Sequence, residues 1–124
     1  MSLSVIRKLG RHLLMVAGLL LAVPAVFAHT SPVTMMPAVD STVGTPESVT
    51  IHFSGALEPK FSLITVTDAS GHVVNKEPSV VSAADGKVMT VALPKLAPGV
   101  YTVHWVGVST DTHRSQGDYK FTVK

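Results

Sequence analysis

Cysteine is missing from the chain, which excludes disulfide staples, thiolate catalysis and the cysteine clusters that hold structural zinc. A domain built from this sequence stands on its hydrophobic core alone. Any metal must be held by histidine, carboxylate, methionine or a terminal amine. Helical periodicity is also missing beyond residue 28, where no stretch repeats its apolar residues at the 3.6-residue spacing. Charge of one sign is scarce. The formal net charge is +2, but Arg7, Lys8 and Arg11 all fall in the first 28 residues and none of the eight Asp and Glu does. The remainder therefore carries a net charge of about −1. With no basic stripe and no aromatic platform, nucleic-acid recognition is excluded.

There is one long apolar run, and it is near the start. "MSLSVIRKLGRH" is basic, "LLMVAGLLLAVPAV" is apolar, and "VFA" ends in small residues, with Val26 and Ala28 at the positions a signal peptidase reads. Residues 1–28 are expected to be a cleaved signal peptide. The alternative, an uncleaved membrane anchor, is disfavoured because run 13–28 is shorter than the roughly 20 residues of a spanning helix and contains Pro24. Cleavage after Ala28 leaves about 96 residues, enough for one domain over 29–124, and makes His29 the first residue of the exported chain.

Alternating patterns mark that domain as all-β. "SVTIHFS" (48–54) sets Val49, Ile51 and Phe53 against Thr50, His52 and Ser54. "FSLITVTD" (61–68) is β-branched and ends at "ASGH", a tight-turn signal through Gly71. "HVV" (72–74) reads as a short partner strand. "KVMTVAL" (87–93) follows "ADG", where Gly86 can take the positive φ of a hairpin turn. "LAPGVYTVHWVGVS" (96–109) aligns Tyr101, Val103 and Trp105, and "GDYKFTVK" (117–124) aligns Tyr119, Phe121 and Val123. Short strands at these intervals predict a small antiparallel Greek-key β-sandwich or barrel. "LAPGVY" resembles the tyrosine corner of immunoglobulin-like domains. Segment 30–47 is expected to be an extended lead-in with an edge strand.

The candidate chemistry lies in the histidines. An amino-terminal His29 offers its α-amine and Nδ1 to one metal in a six-membered chelate, which no internal histidine can do. In "STDTH" (109–113), Asp111 and His113 are two apart, and in an extended segment such residues project to one side. Amine, two imidazoles and a carboxylate give three nitrogens and one oxygen, a set that suits tetragonal Cu(II). On spacing alone, "DTH" can equally be a plain loop and His29 an accident of the cleavage site. Met35 and Met36 read as one packed and one surface residue, Met89 as core, and His52 and His72 as polar-face residues.

His29, "HFS" (52–54) followed by "FS" (61–62), "PGVYTVHW" (98–105), and "VSTDTH" (108–113) before "GDYKFTVK" together resemble the CopC-type periplasmic copper-binding proteins. The likeness covers essentially all of 29–124. It implies a cupredoxin/immunoglobulin-like sandwich, a periplasmic location, and one Cu(II) per chain held by His29, Asp111 and His113. Three departures matter. The region "VTDASGHVVNKEP" lacks the methionines of relatives that also bind Cu(I), so a Cu(II)-only site is expected. Gly55 stands where some relatives have an acidic residue near the copper, and Glu58 lies three residues on. His104 replaces the Asp that many relatives carry before the tryptophan, and alternation turns it away from the face of Trp105.

The resemblance implies a non-enzymatic monomer that sequesters copper, confers resistance or passes the ion to an inner-membrane copper transport protein. Two other readings are a histidine-brace oxidative copper enzyme and a metal-free immunoglobulin-like adhesion or scaffold module. The brace reading requires a substrate-sized surface and an open copper position.

Overall fold

The computed structural model describes residues 29–124. The expected signal peptide, residues 1–28, lies outside the described residues. The described chain is all-β, with eight strands: β1 (Pro32–Met36), β2 (Thr42–Val43), β3 (Ser48–Phe53), β4 (Leu63–Thr67), β5 (Val80–Val81), β6 (Val88–Ala92), β7 (Gly99–Val108) and β8 (Arg114–Val123). They form two four-stranded sheets, ordered β1-β3-β6-β5 and β2-β8-β7-β4. All neighbours are antiparallel except β2, which runs parallel to β8. Chain order and strand order together give the two-sheet Greek-key arrangement of immunoglobulin-like sandwiches. The lead-in holds more than the single edge strand expected, because it contributes β1 to one sheet and β2 to the other.

Period-two alternation sorts the side chains. In β3, Val49, Ile51 and Phe53 are buried while Ser48, Thr50 and His52 are half-exposed. They meet Tyr101, Val103 and Trp105 of β7 and Tyr119, Phe121 and Val123 of β8 in one core cluster. Each fully buried Val, Ile or Phe contributes about 1.5–3 kcal/mol, which is how a chain without cross-links closes. The Phe53 and Trp105 rings meet edge to face at 5.5 Å, and Tyr101 stacks on Phe121 at 5.7 Å. Tyr101 also donates its hydroxyl to the Ala97 carbonyl at 2.6 Å, which forms the tyrosine corner.

Three local expectations need correction. Residues 72–74 do not form a strand: Val73 makes one isolated bridge to Thr67. The segment bonds the end of β4 through the Asp68 N–H to the His72 carbonyl at 2.9 Å and the Val74 N–H to the Val66 carbonyl at 2.8 Å, but after Val74 side chains cover the free edge of β4. Asn75 Oδ1 accepts from the Val66 N–H at 2.8 Å and Ser79 Oγ from the Ile64 N–H at 2.9 Å. Covering an edge in this way blocks pairing with another chain. Gly86 does not adopt a positive φ. The turn closes instead through Asp85, whose Oδ1 accepts from the Lys87 N–H and whose N–H reaches Ser82 Oγ, a carboxylate turn that needs no left-handed residue. Finally, β4 starts at Leu63 because the Phe61 and Ser62 N–H groups fold back onto the Glu58 carbonyl.

Candidate metal centre

One end of the sandwich gathers segment 29–31, the loop after β3 and the β7–β8 hairpin. The hairpin ladder ends at Val108↔Arg114. Beyond it, the Ser109 N–H donates to the His113 carbonyl and the Thr112 N–H to the Ser109 carbonyl, both at 2.9 Å. Thr112 has φ 74°. A three-residue hairpin loop of this kind requires a left-handed residue at its third position, usually glycine. Threonine there costs about 1–2 kcal/mol.

This turn, not an extended segment, brings Asp111 and His113 together. The two residues are in contact as their i, i+2 spacing suggests, but through a turn and not through strand geometry. Their contact is close: His113 Nδ1 lies 3.1 Å from Asp111 Oδ2. Ser109, itself buried, donates its hydroxyl to Asp111 Oδ1, and the His113 N–H donates to the same oxygen at 3.3 Å. These donors stabilise the carboxylate. The Ser109 hydroxyl is the largest cause and the His113 side chain and N–H follow, so the Asp111 carboxyl is held down at about 2. Asp111 is an anion at any physiological pH.

His29 comes from the far end of the described sequence. Its ring centroid lies 5.7 Å from that of His113 at an interplanar angle of 66°. Two imidazoles sharing one ion at about 2 Å from each donor nitrogen have centroids roughly 4.5–6.5 Å apart, so the observed spacing fits a common ion. The contacts form a chain in which His113 touches both of the others. Among the described residues no three His, Asp or Glu side chains already surround a common point. Beside them lies a hollow of about 290 Å³ lined by His29, Thr30, Gly55, Ala56, Thr110 and Asp111 among others.

The remaining sequence candidates lie elsewhere or play other parts. Glu58 holds the end of β7 through its backbone, donating its N–H to the Val108 carbonyl at 2.7 Å, and is not among the residues lining the hollow. His104 is on the outer face of its sheet, with Nδ1 2.7 Å from Asp118 Oδ1. His72 lies 3.6 Å from Asp68 in the turn after β4. His52 is half-exposed on β3. Ser109 is not evident from the sequence as a partner of Asp111. Its only signal was its place two residues before Asp111, where a hydroxyl can reach a carboxylate across a turn. Thr30, Ser54 and Ser115, which hold segment 29–31, carry no signal in the sequence.

Comparison with known proteins gives a consistent set of matches. Residues 32–124 match the family described as CopC domain. The chain is 36% identical over 121 residues to the copper resistance protein C of Escherichia coli, covering 90% of this chain and 94% of that protein. It is 31% identical over 99 residues to the copper transport protein CutJ of Bacillus subtilis, covering 78% of this chain but 18% of that much longer one. Among solved structures, CopC from Methylosinus trichosporium OB3b superposes with a TM-score of 0.73 at 33% identity, covering 77% of this chain and 94% of that one. PcoC of Escherichia coli, described as a methionine-rich copper resistance protein, superposes with a TM-score of 0.66 at 37% identity, covering 78% and 100%.

Proposed function

The chain belongs to the CopC family, and on that footing we propose that it is a periplasmic protein that binds one Cu(II) ion through His29, Asp111 and His113. In this reading cleavage after Ala28 frees the α-amine of His29. Amine and Nδ1 chelate the ion, the second imidazole comes from His113, and Asp111 supplies an anionic oxygen. The observation that carries the reading is the contact chain of His29 with His113 and His113 with Asp111. The donor set matches what Cu(II) prefers over softer or harder ions.

The same set disfavours Cu(I), which takes thioether sulfur. Met89 is fully buried and Met35 packs against the core, so Met36 is the exposed thioether among the described residues. In this reading the protein is a Cu(II)-only member that binds copper without an enzymatic step. It acts as a monomer that sequesters copper or hands it to an inner-membrane copper transport protein. The match of this domain to part of a chain named as a copper transport protein supports the second role. Copper is cargo here, and its release follows from proton competition. The α-amine has an ordinary pKa of about 7.7–8, so affinity falls as pH falls.

Equilibrium dialysis of the exported protein against Cu(II) tests this. One copper retained per chain is expected, with retention lost in His113→Ala and weakened steadily from pH 8 to pH 5. Retention unaffected by His113→Ala would refute the assignment.

A further inference from the structure

A chelating residue at a chain end has a difficulty that an internal ligand does not: terminal residues fray unless something ties them down. Here the tie is visible. Thr30, the residue after His29, is buried at 3% exposure. Ser115 is in the half-buried, inward-facing register of β8, and it donates its hydroxyl to the Thr30 carbonyl at 2.6 Å across 85 residues of sequence. On the other sheet, the Ser54 N–H donates to the Ser31 carbonyl at 2.8 Å. Ser54 Oγ accepts from the Ser31 N–H at 3.1 Å and donates to the His29 carbonyl at 3.3 Å.

Segment 29–31 is thus bonded to the end of β3 in one sheet and to β8 in the other, across the open end of the core. Gly55 makes the room. A Cβ at that position would come 2.9 Å from Thr30 Oγ1, so a larger residue forces that buried hydroxyl to shift. None of the Ser54, Gly55 and Ser115 side chains belongs to the metal-ligand set. What they do is hold residue 29 beside His113.

Resting on the copper-site reading above, we propose that Ser115, with Ser54 and the space left by Gly55, forms a clamp that fixes the amino-terminal segment before metal arrives. Ser115 is a positioning residue and touches no metal. Its effect is preorganisation: the entropy of ordering the terminal chelate is met on folding rather than on binding, so affinity is higher than the same donors would give on a loose end.

The test uses the exported protein with its first residue verified by mass spectrometry, as wild type, Ser115→Ala, Ser115→Thr and Gly55→Ala. Two quantities are read: the proton NOE between the His29 and His113 rings without metal, and Cu(II) affinity by competition with a chelator. Wild type and Ser115→Thr are expected to keep the ring contact and full affinity. Ser115→Ala is expected to keep its unfolding midpoint within a few degrees, lose the contact and bind Cu(II) about tenfold more weakly, the effect of one lost hydrogen bond. Gly55→Ala attacks the clamp from the other side and should do the same. Either alanine variant retaining both ring contact and affinity would overturn the proposal, as would weakened binding with the ring contact intact. If the contact behaves as expected but wild type takes up no copper, the clamp stands and the copper assignment falls.

Discussion

At the scale of single residues, Tyr119 gives the clearest physical statement. Its hydroxyl is buried with no hydrogen-bond partner among the described residues, and burial pushes the phenol up from 10.0 to about 12. A raised folded-state value means that the unfolded chain gives up its proton first. The stability tied to this group is complete below pH 10 and drains away as pH rises through about 12. Tyr119→Phe is expected to leave neutral stability unchanged or raise it by up to about 1 kcal/mol. It should also flatten the loss between pH 10 and pH 12, as followed by urea unfolding. A variant with the wild-type alkaline profile would place the cause elsewhere. Asp111 shows the same physics with opposite sign, because the Ser109 hydroxyl and His113 stabilise its anion. His29, Asp111 and His113 stand out in the sequence through the family resemblance, since on spacing alone "DTH" reads equally as a plain loop. Ser115 and Thr30 are not, since a serine hydroxyl acquires meaning only from a carbonyl 85 residues away.

Among the elements, the β7–β8 hairpin holds both Asp111 and His113. Its loop holds Thr112 at φ 74°, where threonine is strained and glycine would rest. Backbone strain of this kind persists where surrounding structure over-determines it, and it gathers at functional sites. Thr112→Gly is expected to stabilise the fold by about 1 kcal/mol by removing the Cβ clash. It should also weaken Cu(II) binding several-fold, because a freer turn no longer presents Asp111 and His113 together. Thermal unfolding and copper competition on the same sample check both halves, and a gain in stability with unchanged affinity would separate the strain from the site. Strands long enough to show two or three alternations, β3, β6, β7 and β8, are evident from sequence. The two-residue strands β2 and β5 are not, because so short a segment has no period to read. The 72–74 segment is legible only in part: it pairs with the end of β4 through one bridge, and beyond it Asn75 and Ser79 satisfy the edge with side chains.

Taken whole, the molecule is a core-stabilised sandwich that keeps its chemistry at one end. Val49, Ile51, Val66, Met89, Val91 and Val103 are fully sealed, so the scaffold is rigid without a cross-link. The fold class follows from alternation and turn chemistry, and the family relationship agrees with it. The meeting of residue 29 with the hairpin at 109–113 depends on topology. The pairing of β1 with the end of β3, and the bond from Ser115 at the start of β8 to Thr30, place His29 against a turn about 80 residues on.

The measurement that bears most directly on this arrangement is electron paramagnetic resonance of the exported protein loaded with one equivalent of Cu(II). Three nitrogen couplings are predicted, one amine and two imidazoles, falling to two in His113→Ala and changing again when the amino terminus is acetylated. A spectrum unaltered by both changes would show that the ion sits elsewhere and would contradict the account.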